Sequence, residues 1–383
     1  MKDFAGDSFE SNESSYIVPS ELPLSPLSRI SPSKLHLFRE CRLRACLESN
    51  RANVLLPLSP TAHCGTVIHR VLEMAVKDNE DGSGGFEECW RKSLEIENNK
   101  MKNSWLERHF VPLEESVPKY DLKKHQCSML IKNIMKSKAI AKKKLQHKGF
   151  RRESWLETRD KIAGGFIDAI ISTSRGDIIV DYKTGNIYEA SHGNKLDIKK
   201  LYKDQLKLYA AIYNSAFGVW PASLQIAGID GVLHEIDFDK DDCICLLDEV
   251  RQVWNDVNSV ISDEGSLSQK NTKLSSSSPE ICRYCLYRPG CRSYAERKDK
   301  HPNLNWPNDV AGTIKEKKIL KNGLALVKIE TKNKYMIIVR GLHPNRHPAL
   351  NMDSKELAIF SMILDGNPNH YKEGPLTTIY IIS

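Results

Sequence analysis

Residues 164–168 read GGFID and residues 178–185 read IIVDYKTG, and these two stretches decide the fold. Each is an apolar run that carries one aspartate, Asp168 in the first and Asp181 in the second. Short apolar runs bounded by turn residues predict β-strands. Neighbouring strands would bring both carboxylates to one edge of a sheet. Side chains two residues apart on a strand share a face, so Lys183 should point the same way as Asp181.

Two carboxylates and an ammonium group on one face suit the hydrolysis of a phosphodiester. That reaction needs a hard cation and an activated water, and Mg²⁺ prefers carboxylate and water oxygens. Asp168 and Asp181 are therefore predicted as metal ligands and catalytic carboxylates, with the backbone carbonyl of Tyr182 as a further ligand. Lys183 would act on the water or on the leaving phosphate. The competing interpretation is structural: a polar residue at a strand edge and a surface ion pair.

The chain before residue 300 predicts an α/β fold. Residues 1–28 lack periodicity, which favours a disordered tail. Strands mixed with flanking helices over residues 29–300 indicate a central mixed sheet, with a helical insertion at residues 86–150. A helix should begin near Ser31, which can cap it. Residues 269–278 are polar and Ser-rich, which favours a loop or linker.

The last part of the chain, residues 308–383, returns to a strand pattern. Five short strands are predicted, at residues 312–320, 324–330, 335–341, 357–364 and 377–382. This pattern favours a small OB-like β-barrel. Such a barrel either binds single-stranded nucleic acid or serves as a protein-docking or stabilising domain. The candidate nucleic-acid contacts are Lys315, Lys317, Lys318, Lys321, Lys334, Tyr335, Arg340 and Arg346.

Charge and composition narrow the partners. The net charge is +7 over 383 residues, and residues 122–152 hold eleven Lys or Arg and no Asp or Glu. Such a stretch attracts a polyanion such as DNA, although a solvated helix face has the same composition. No apolar run is long enough to predict a membrane span. Residues 1–15 lack a signal-peptide pattern, so we expect a cytoplasmic protein whose ten cysteines favour metal binding over disulfides.

The paired GGFID and IVDYKTG segments resemble the PD-(D/E)XK nuclease superfamily, in particular its RecB-type branch with a restriction-endonuclease-like core. Residues 65–73 resemble that branch's upstream helix, whose histidine binds metal, and this implies His69 as a ligand. Gln205 and Tyr209 match the downstream Gln-x-x-x-Tyr helix, which implies substrate-binding roles. Glu157 lies where the branch often has an acidic residue. The resemblance covers about residues 30 to 295.

Three cysteines, Cys282, Cys285 and Cys291, lie within ten residues near the end of this region. The segment around Cys41 resembles the iron–sulfur nucleases, both the AddB-type repair enzymes and the CRISPR-adaptation nucleases. In those enzymes one early cysteine and a late triplet bind a [4Fe–4S] cluster. The resemblance implies that the four cysteines close the domain around such a cluster, with zinc as the alternative. Cys46 is the rival for the fourth position.

Together these features predict a Mg²⁺- or Mn²⁺-dependent DNA nuclease, an exonuclease that acts on single strands or DNA ends, in DNA repair or antiviral defence. No Gly-x-x-x-x-Gly-Lys-Ser/Thr phosphate loop is present, so a helicase would be a separate partner. The alternative is a catalytically silent DNA-binding module of a larger nuclease–helicase or defence complex. Intact carboxylate and lysine positions favour the enzyme.

Overall fold

A computed structural model describes residues 13–77, 85–144, 149–183, 185–190, 196–228 and 232–382. The chain divides into two compact units. The α/β unit comprises Pro23–Asn53 and Leu58–Ser276, and the C-terminal unit comprises Met1–Leu22, Val54–Pro57 and Ser277–Ser383. The cysteine triplet therefore falls in the C-terminal unit, although the sequence placed it at the end of residues 29–300.

A five-stranded mixed sheet lies at the centre of the α/β unit, in the order β1-β2-β3-β6-β7. Its neighbours run antiparallel except β3 and β6, which are parallel. A separate two-stranded sheet consists of β4 and β5. The strands are β1 (Gly149–Glu157), β2 (Gly164–Thr173), β3 (Gly176–Lys183), β4 (Tyr188–Ala190), β5 (Leu196–Ile198), β6 (Ser223–Gly228) and β7 (Leu233–Ile236).

Both faces of the central sheet carry apolar side chains, because successive residues of a strand point to opposite faces. One face presents Ile170, Ile179, Leu224 and Ile226, all with no measurable exposure. The opposite face carries a smaller cluster that includes Ala169, Val180, Ala227 and the partly buried Tyr182. Asp168, Asp181 and Lys183 share the first face with the four buried aliphatic residues.

Nine α-helices occur in the described part of the α/β unit. Helix α7 packs against β1, β3, β6 and α8, and it ends at Gly218, whose φ of 74° is the left-handed conformation that glycine adopts freely. The helices are α1 (Leu35–Glu40), α2 (Arg42–Ser49), α3 (Pro60–Lys77), α4 (Phe86–Lys102), α5 (Leu113–Ser116), α6 (Tyr120–Lys144), α7 (Lys200–Phe217), α8 (Lys240–Ser262) and α9 (Leu267–Leu274). No helix among these residues is both long and apolar enough to cross a membrane.

Three local expectations need correction. Ser31 precedes the 3-10 turn Pro32–Lys34 but makes no side-chain cap bond, and its hydroxyl lies 3.1 Å from that of Ser33. The predicted linker at residues 269–278 begins inside α9, because Ser266 and Gln269 form a reciprocal capping box that starts this helix. The predicted helical insertion corresponds to α4, α5 and α6, with residues 145–148 outside the described ranges and β1 beginning at residue 149.

The predicted disordered tail is only partly described. Residues 1–12 lie outside the described ranges. Within the C-terminal unit, Tyr16 and Leu22 are buried, and Val18 N–H donates to the carbonyl of Ile381 at 2.9 Å. Leu27 is buried in the α/β unit. Residues 13–28 are thus held by apolar burial and backbone hydrogen bonds, which corrects the expectation of disorder for this stretch.

The C-terminal unit contains a seven-stranded sheet that curls into a half-barrel, in the order β12-β13-β10-β9-β8-β11-β14. Its two end strands, β12 and β14, do not pair in the described part of the chain, so a closed OB-like barrel is not shown. Ser361, with a φ of 58°, breaks the predicted strand at residues 357–364 in two. The strands are β8 (Val310–Ile319), β9 (Ala325–Glu330), β10 (Met336–Leu342), β11 (Glu356–Phe360), β12 (Ile363–Leu364), β13 (His370–Lys372) and β14 (Thr378–Ile381). Cys291, the last cysteine of the triplet, lies between helices α10 (Pro279–Arg283) and α11 (Arg292–Lys300).

Candidate active site

The register of β2 and β3 sets two aspartates side by side. In the antiparallel pairing of β2 with β3, Ala169 lies opposite Val180. Extending this register by one residue places Asp168 opposite Asp181. Asp168 Oδ2 accepts a hydrogen bond from the backbone N–H of Tyr182 at 2.7 Å. This bond fixes the carboxylate of Asp168 across the end of β3. The predicted pairing of the two carboxylates at one sheet edge agrees with this placement.

Asp181 is buried, with 6% of its surface exposed. Its Oδ1 accepts a hydrogen bond from Gln205 Nε2 at 2.8 Å. Its Oδ2 is buried and lies 2.8 Å from Lys183 Nζ, but the angle does not satisfy hydrogen-bond geometry. A buried carboxylate oxygen without a hydrogen bond is costly unless a cation lies against it. The ammonium of Lys183 is that cation in this structure, and a carboxylate oxygen is also the kind of ligand that Mg²⁺ prefers.

Lys183 is held from three directions. Its ammonium group donates to Gln205 Oε1 at 3.1 Å, lies beside Asp181, and sits 4.9 Å from the ring centroid of Tyr202. Gln205 on α7 thus bonds to both Asp181 and Lys183 through the two ends of its amide. Gln205 is one of the predicted site residues and Tyr202 is not, although the i, i+3 spacing of the two residues predicts a shared helix face.

Tyr209 lies one turn further along α7 and is also buried. Its hydroxyl donates to the backbone carbonyl of Phe166 at 2.7 Å. Burial, together with the nearby carboxylates of Asp181 and Asp168, raises the pKa of Tyr209 well above its usual range, so the hydroxyl keeps its proton. In this structure Tyr209 contacts the strand that carries Asp168.

His69, on α3, borders a cavity of about 920 Å³. Burial, and then the positive charge of Lys183, lower the pKa of His69, while Asp181 raises it less. The neutral imidazole is the form that binds metals. Other residues that line the cavity are Thr61, Thr66, Lys123, Asn186 and Tyr188.

Asp204 is a buried carboxylate that sequence reasoning did not single out. Arg39 of α1 donates to it at 2.6 Å and also bonds to Glu249 of α8, and Lys200 contacts it at 2.9 Å. These ion pairs tie α7 to α1 and α8 directly beside Gln205. No feature of the sequence distinguishes Asp204 from an ordinary exposed helix residue. Its burial depends on Arg39, which is 165 residues away.

The predicted ligand sets are only partly assembled. Within the described ranges, no group of three or more His, Cys, Asp or Glu side chains is arranged to hold a metal ion. Asp168 and Asp181 lie together, but His69 does not complete a three-ligand group with them. The side chain of Tyr182 belongs to the opposite face of the sheet, so only its backbone borders this site. The two carboxylates of Asp168 and Asp181 suit a Mg²⁺-like ion, which usually takes one or two carboxylates and keeps several waters.

The four predicted cluster cysteines divide between the two units. Cys41 lies in the α/β unit, where its sulfur accepts a hydrogen bond from the backbone of Ser276 at 3.5 Å. Cys282 and Cys291 pack with Tyr294 and Trp306 in the C-terminal unit.

The rival cysteine, Cys46, is fully buried. Burial raises its thiol pKa to about 12. A cysteine this deeply buried packs as a small apolar residue in this structure.

Comparison with known proteins places this geometry in a family. A model of the PD-(D/E)XK nuclease superfamily matches residues 29–292, which is more than half of the chain. This chain belongs to the PD-(D/E)XK nuclease superfamily. The match spans Asp168, Asp181, Lys183, His69 and the α7 pair, so the mixed sheet and its helices are the superfamily's nuclease core.

Two further comparisons add little to the superfamily assignment. The solved structure of SSO0001 is 13% identical, covers 66% of this chain and 95% of its own, and superposes with a TM-score of 0.22. A score that low carries no argument about this chain. No curated protein matches the chain.

Proposed function

We propose that this PD-(D/E)XK superfamily member is a metal-dependent deoxyribonuclease that hydrolyses phosphodiester bonds at Asp168, Asp181 and Lys183. The observation that carries the proposal is the arrangement on one face of the sheet: Asp168 and Asp181 lie side by side on β2 and β3, and the Lys183 ammonium lies 2.8 Å from the buried Oδ2 of Asp181. A surface ion pair would be exposed, whereas Asp181 is 6% exposed. Two carboxylates beside a fixed ammonium suit phosphodiester chemistry.

Each residue has a distinct role in the proposal. Asp168 and Asp181 would hold Mg²⁺ or Mn²⁺, with the carbonyl of Tyr182 and the imidazole of His69 as further ligands. The bound ion would supply charge neutralisation at the phosphate and a water of lowered pKa. Lys183 would hold that water or the departing oxygen, because its ammonium stands on the same face two residues after Asp181.

Gln205 and Tyr209 act through other groups. The Gln205 amide sets the distance between Asp181 and Lys183 by bonding to both. Tyr209 fixes the carbonyl of Phe166, two residues before Asp168. We therefore assign them positioning roles, in addition to the substrate contact that the family resemblance implies for the helix that carries them.

The test is cleavage of end-labelled linear and circular DNA, single- and double-stranded, with Mg²⁺ or Mn²⁺. We expect Lys183→Ala to lower the cleavage rate by about 100- to 1,000-fold, the usual effect of removing a group that stabilises the transition state. Binding of the same DNA should persist. Lys207→Ala is the matched control, because Lys207 lies on α7, the helix of Gln205, and pairs with the exposed Asp242 at 2.8 Å rather than with Asp181.

The outcomes separate the two functional classes. Hydrolysis by the wild type that is lost in Lys183→Ala and kept in Lys207→Ala supports the nuclease. DNA binding without hydrolysis under either metal supports the silent binding module. Cleavage of linear but not circular DNA would identify an exonuclease that acts on ends, and the preferred strandedness would follow from the same gel.

The resemblance also favours a role in DNA repair or antiviral defence, with any helicase supplied by another chain. The [4Fe–4S] cluster at Cys41, Cys282, Cys285 and Cys291 stays a prediction that the resemblance to the iron–sulfur nucleases implies. Its measurement is the iron and acid-labile sulfide content of anaerobically purified protein. Bound zinc without iron or acid-labile sulfide would identify the alternative, a zinc site.

A further inference from the structure

Two large aromatic side chains stand exposed beside the proposed catalytic face. Phe166 is 59% exposed and Trp155 is 40% exposed. They are cross-strand partners on β1 and β2, and their rings meet edge to face with centroids 4.9 Å apart. Because Phe166 precedes Asp168 by two residues, it shares the face of the carboxylates and lies about 7 Å along the strand from Asp168.

The pair is held in place by charged neighbours. Arg29 stacks with its guanidinium carbon 4.8 Å from the Trp155 ring centroid. Glu157 accepts hydrogen bonds from Arg29 at 3.1 Å and from the indole N–H of Trp155 at 3.2 Å. The result is a fixed aromatic surface with a cation at its rim. A flexible surface side chain would have no such restraints.

We propose that Trp155 and Phe166 form a stacking platform for an unpaired nucleobase of the substrate strand, next to the phosphate that is cleaved. The inference rests on the proposed function and narrows its substrate class to single-stranded DNA or a frayed end. Bases inside a duplex already stack on each other, so only an unstacked base can use an exposed ring. Aromatic faces accept any base, so the platform selects strandedness rather than sequence.

The charges around the platform suit this occupant. Asp168, Asp181 and Glu157 are acidic, and Lys183 and Arg29 are basic, so the face is near neutral and becomes positive once a divalent cation binds. The polyanionic DNA backbone would then lie along the carboxylates and Lys183, and one base would turn away from the DNA strand toward Phe166. The competing explanation is that the aromatic pair only stabilises the β1–β2 pairing, as cross-strand aromatic pairs do.

The test measures binding with Ca²⁺ in place of the active metal, so that it does not depend on cleavage. A short single-stranded oligonucleotide is compared with versions that carry one abasic site at each position in turn. We expect Phe166→Ala to weaken binding of the intact oligonucleotide by about 5- to 100-fold, the usual effect of losing one stacked base. One abasic position should weaken wild-type binding to the same extent, and the same position should cause no further loss in Phe166→Ala.

Two further variants complete the design. Phe217→Ala is the matched control, since Phe217 is 44% exposed and packs on Tyr213 at a centroid distance of 4.7 Å elsewhere in the unit. It should change binding less than about twofold. Binding should quench tryptophan fluorescence, and Trp155→Phe should remove that quenching while keeping affinity within a few fold, because a ring remains.

Two results would refute the platform. One is that Phe166→Ala binds the intact oligonucleotide as tightly as the wild type does. The other is that the abasic site weakens binding to Phe166→Ala as much as it weakens binding to the wild type. Equal weakening by Phe217→Ala also overturns it. A wild type that cleaves DNA while failing these tests retains the nuclease function without the platform. A wild type that passes them without cleaving under any metal retains the platform in a binding module.

Discussion

At the residue scale, Gly165 lies where the strand that carries Asp168 packs closely against the helix that carries Tyr209. A Cβ at Gly165 would lie 2.9 Å from the Tyr209 hydroxyl, 3.1 Å from that of Ser31 and 3.3 Å from Pro32 Cδ. All three contacts are closer than ordinary van der Waals distances. Glycine at this position therefore lets α7 and the turn at Ser31 approach the strand.

Gly165→Ala should lower the free energy of unfolding by about 1–3 kcal/mol, since overpacking forces neighbours apart. Tyr209→Phe removes the closest atom, so the double variant should lose less stability than the sum of the two single losses. Urea denaturation of all four proteins measures the difference. Gly185→Ala is the control, because no atom of the described residues lies within 4 Å of its added carbon. Strictly additive losses would show that the hydroxyl is not the obstacle.

The residues of the site show how far sequence reasoning reaches. Strand periodicity predicts that Asp181 and Lys183 share a face, and the turn before β3 predicts that Asp168 lies opposite Asp181. These are short-range consequences of a hairpin. The ion pair of Asp204 with Arg39, and the single amide that joins Gln205 to two site residues, depend on how distant elements pack. Pattern reasoning has no access to such contacts.

At the scale of elements, a buried histidine joins the helical layer. His63 on α3 is 1% exposed. Its Nδ1 lies 2.8 Å from Glu97 of α4, and its Nε2 lies 3.2 Å from Glu107 without hydrogen-bond geometry. Burial lowers the pKa of His63, but the two carboxylates outweigh it and raise the value to about 9. A charged imidazole between two carboxylates therefore ties α3 to α4.

This tie makes stability depend on pH. Because the folded pKa of His63 exceeds the unfolded value of about 6.5, its contribution is complete below pH 6.5 and is lost as the pH rises through about 9. The loss should approach about 3 kcal/mol. The pKa values of Glu97 and Glu107 are lowered, mainly by His63 against the opposing effect of burial. Their contribution is therefore present above about pH 4.5 and is lost as the pH falls.

Urea denaturation at pH 6, 8 and 10 tests the histidine. His63→Gln should be less stable than the wild type at pH 6 and should show a much flatter decline between pH 7 and 10. His125→Gln replaces an exposed histidine of α6 and should keep the wild-type profile. If the wild type is as stable at pH 10 as at pH 6, His63 is neutral in the fold.

Two elements mark where sequence reasoning fell short at this scale. Helix α9 falls in a Ser-rich stretch, and composition favoured a linker there. The usable signal was Ser266 followed by Gln269, the capping-box spacing. In the C-terminal unit, four of the five predicted strands lie close to β8, β9, β10 and β14. The predicted strand at residues 357–364 is split at Ser361, and β13 was missed. Strand order arises from pairings between distant residues, so the number of strands predicts the curled sheet but cannot decide whether it closes into a barrel.

At the scale of the whole molecule, the C-terminal unit is assembled from three separate stretches of chain. Leu55 N–H donates to the carbonyl of Leu286 at 3.1 Å, and the Tyr380 hydroxyl donates to the carbonyl of Leu55 at 2.6 Å. Residues 54–57 and the described residues 13–22, of which Val18 bonds to Ile381, therefore belong with residues 277–382. The C-terminal sheet is thus a poor candidate for a removable appendage, although the sequence presents it as one.

A buried ion pair locks the cysteine loop to that sheet. Arg288, between Cys285 and Cys291, is 4% exposed and bonds through Nε to Asp309 at 2.7 Å. Asp309 also accepts hydrogen bonds from the Tyr294 hydroxyl and from the backbone N–H of Ser361, both at 2.7 Å. Burial raises the pKa of Asp309, but Arg288 outweighs it and keeps the carboxyl below its usual range. The loop that carries the cysteines is therefore fixed by residues that are not cysteines.

Asp309→Ala should lower the free energy of unfolding by about 3–5 kcal/mol, because it leaves the Arg288 guanidinium buried without its counter-ion. Replacing both partners with apolar residues, Arg288→Met with Asp309→Leu, should recover much of that loss, since desolvation of both charges is avoided. Glu296→Ala breaks the exposed Arg292–Glu296 pair of the same unit, at 2.7 Å, and should cost less than about 1 kcal/mol. Denaturation curves decide the matter: a small effect of Asp309→Ala, or a double variant worse than the single one, would mean that the loop is held chiefly by the packing of Tyr294 and Trp306.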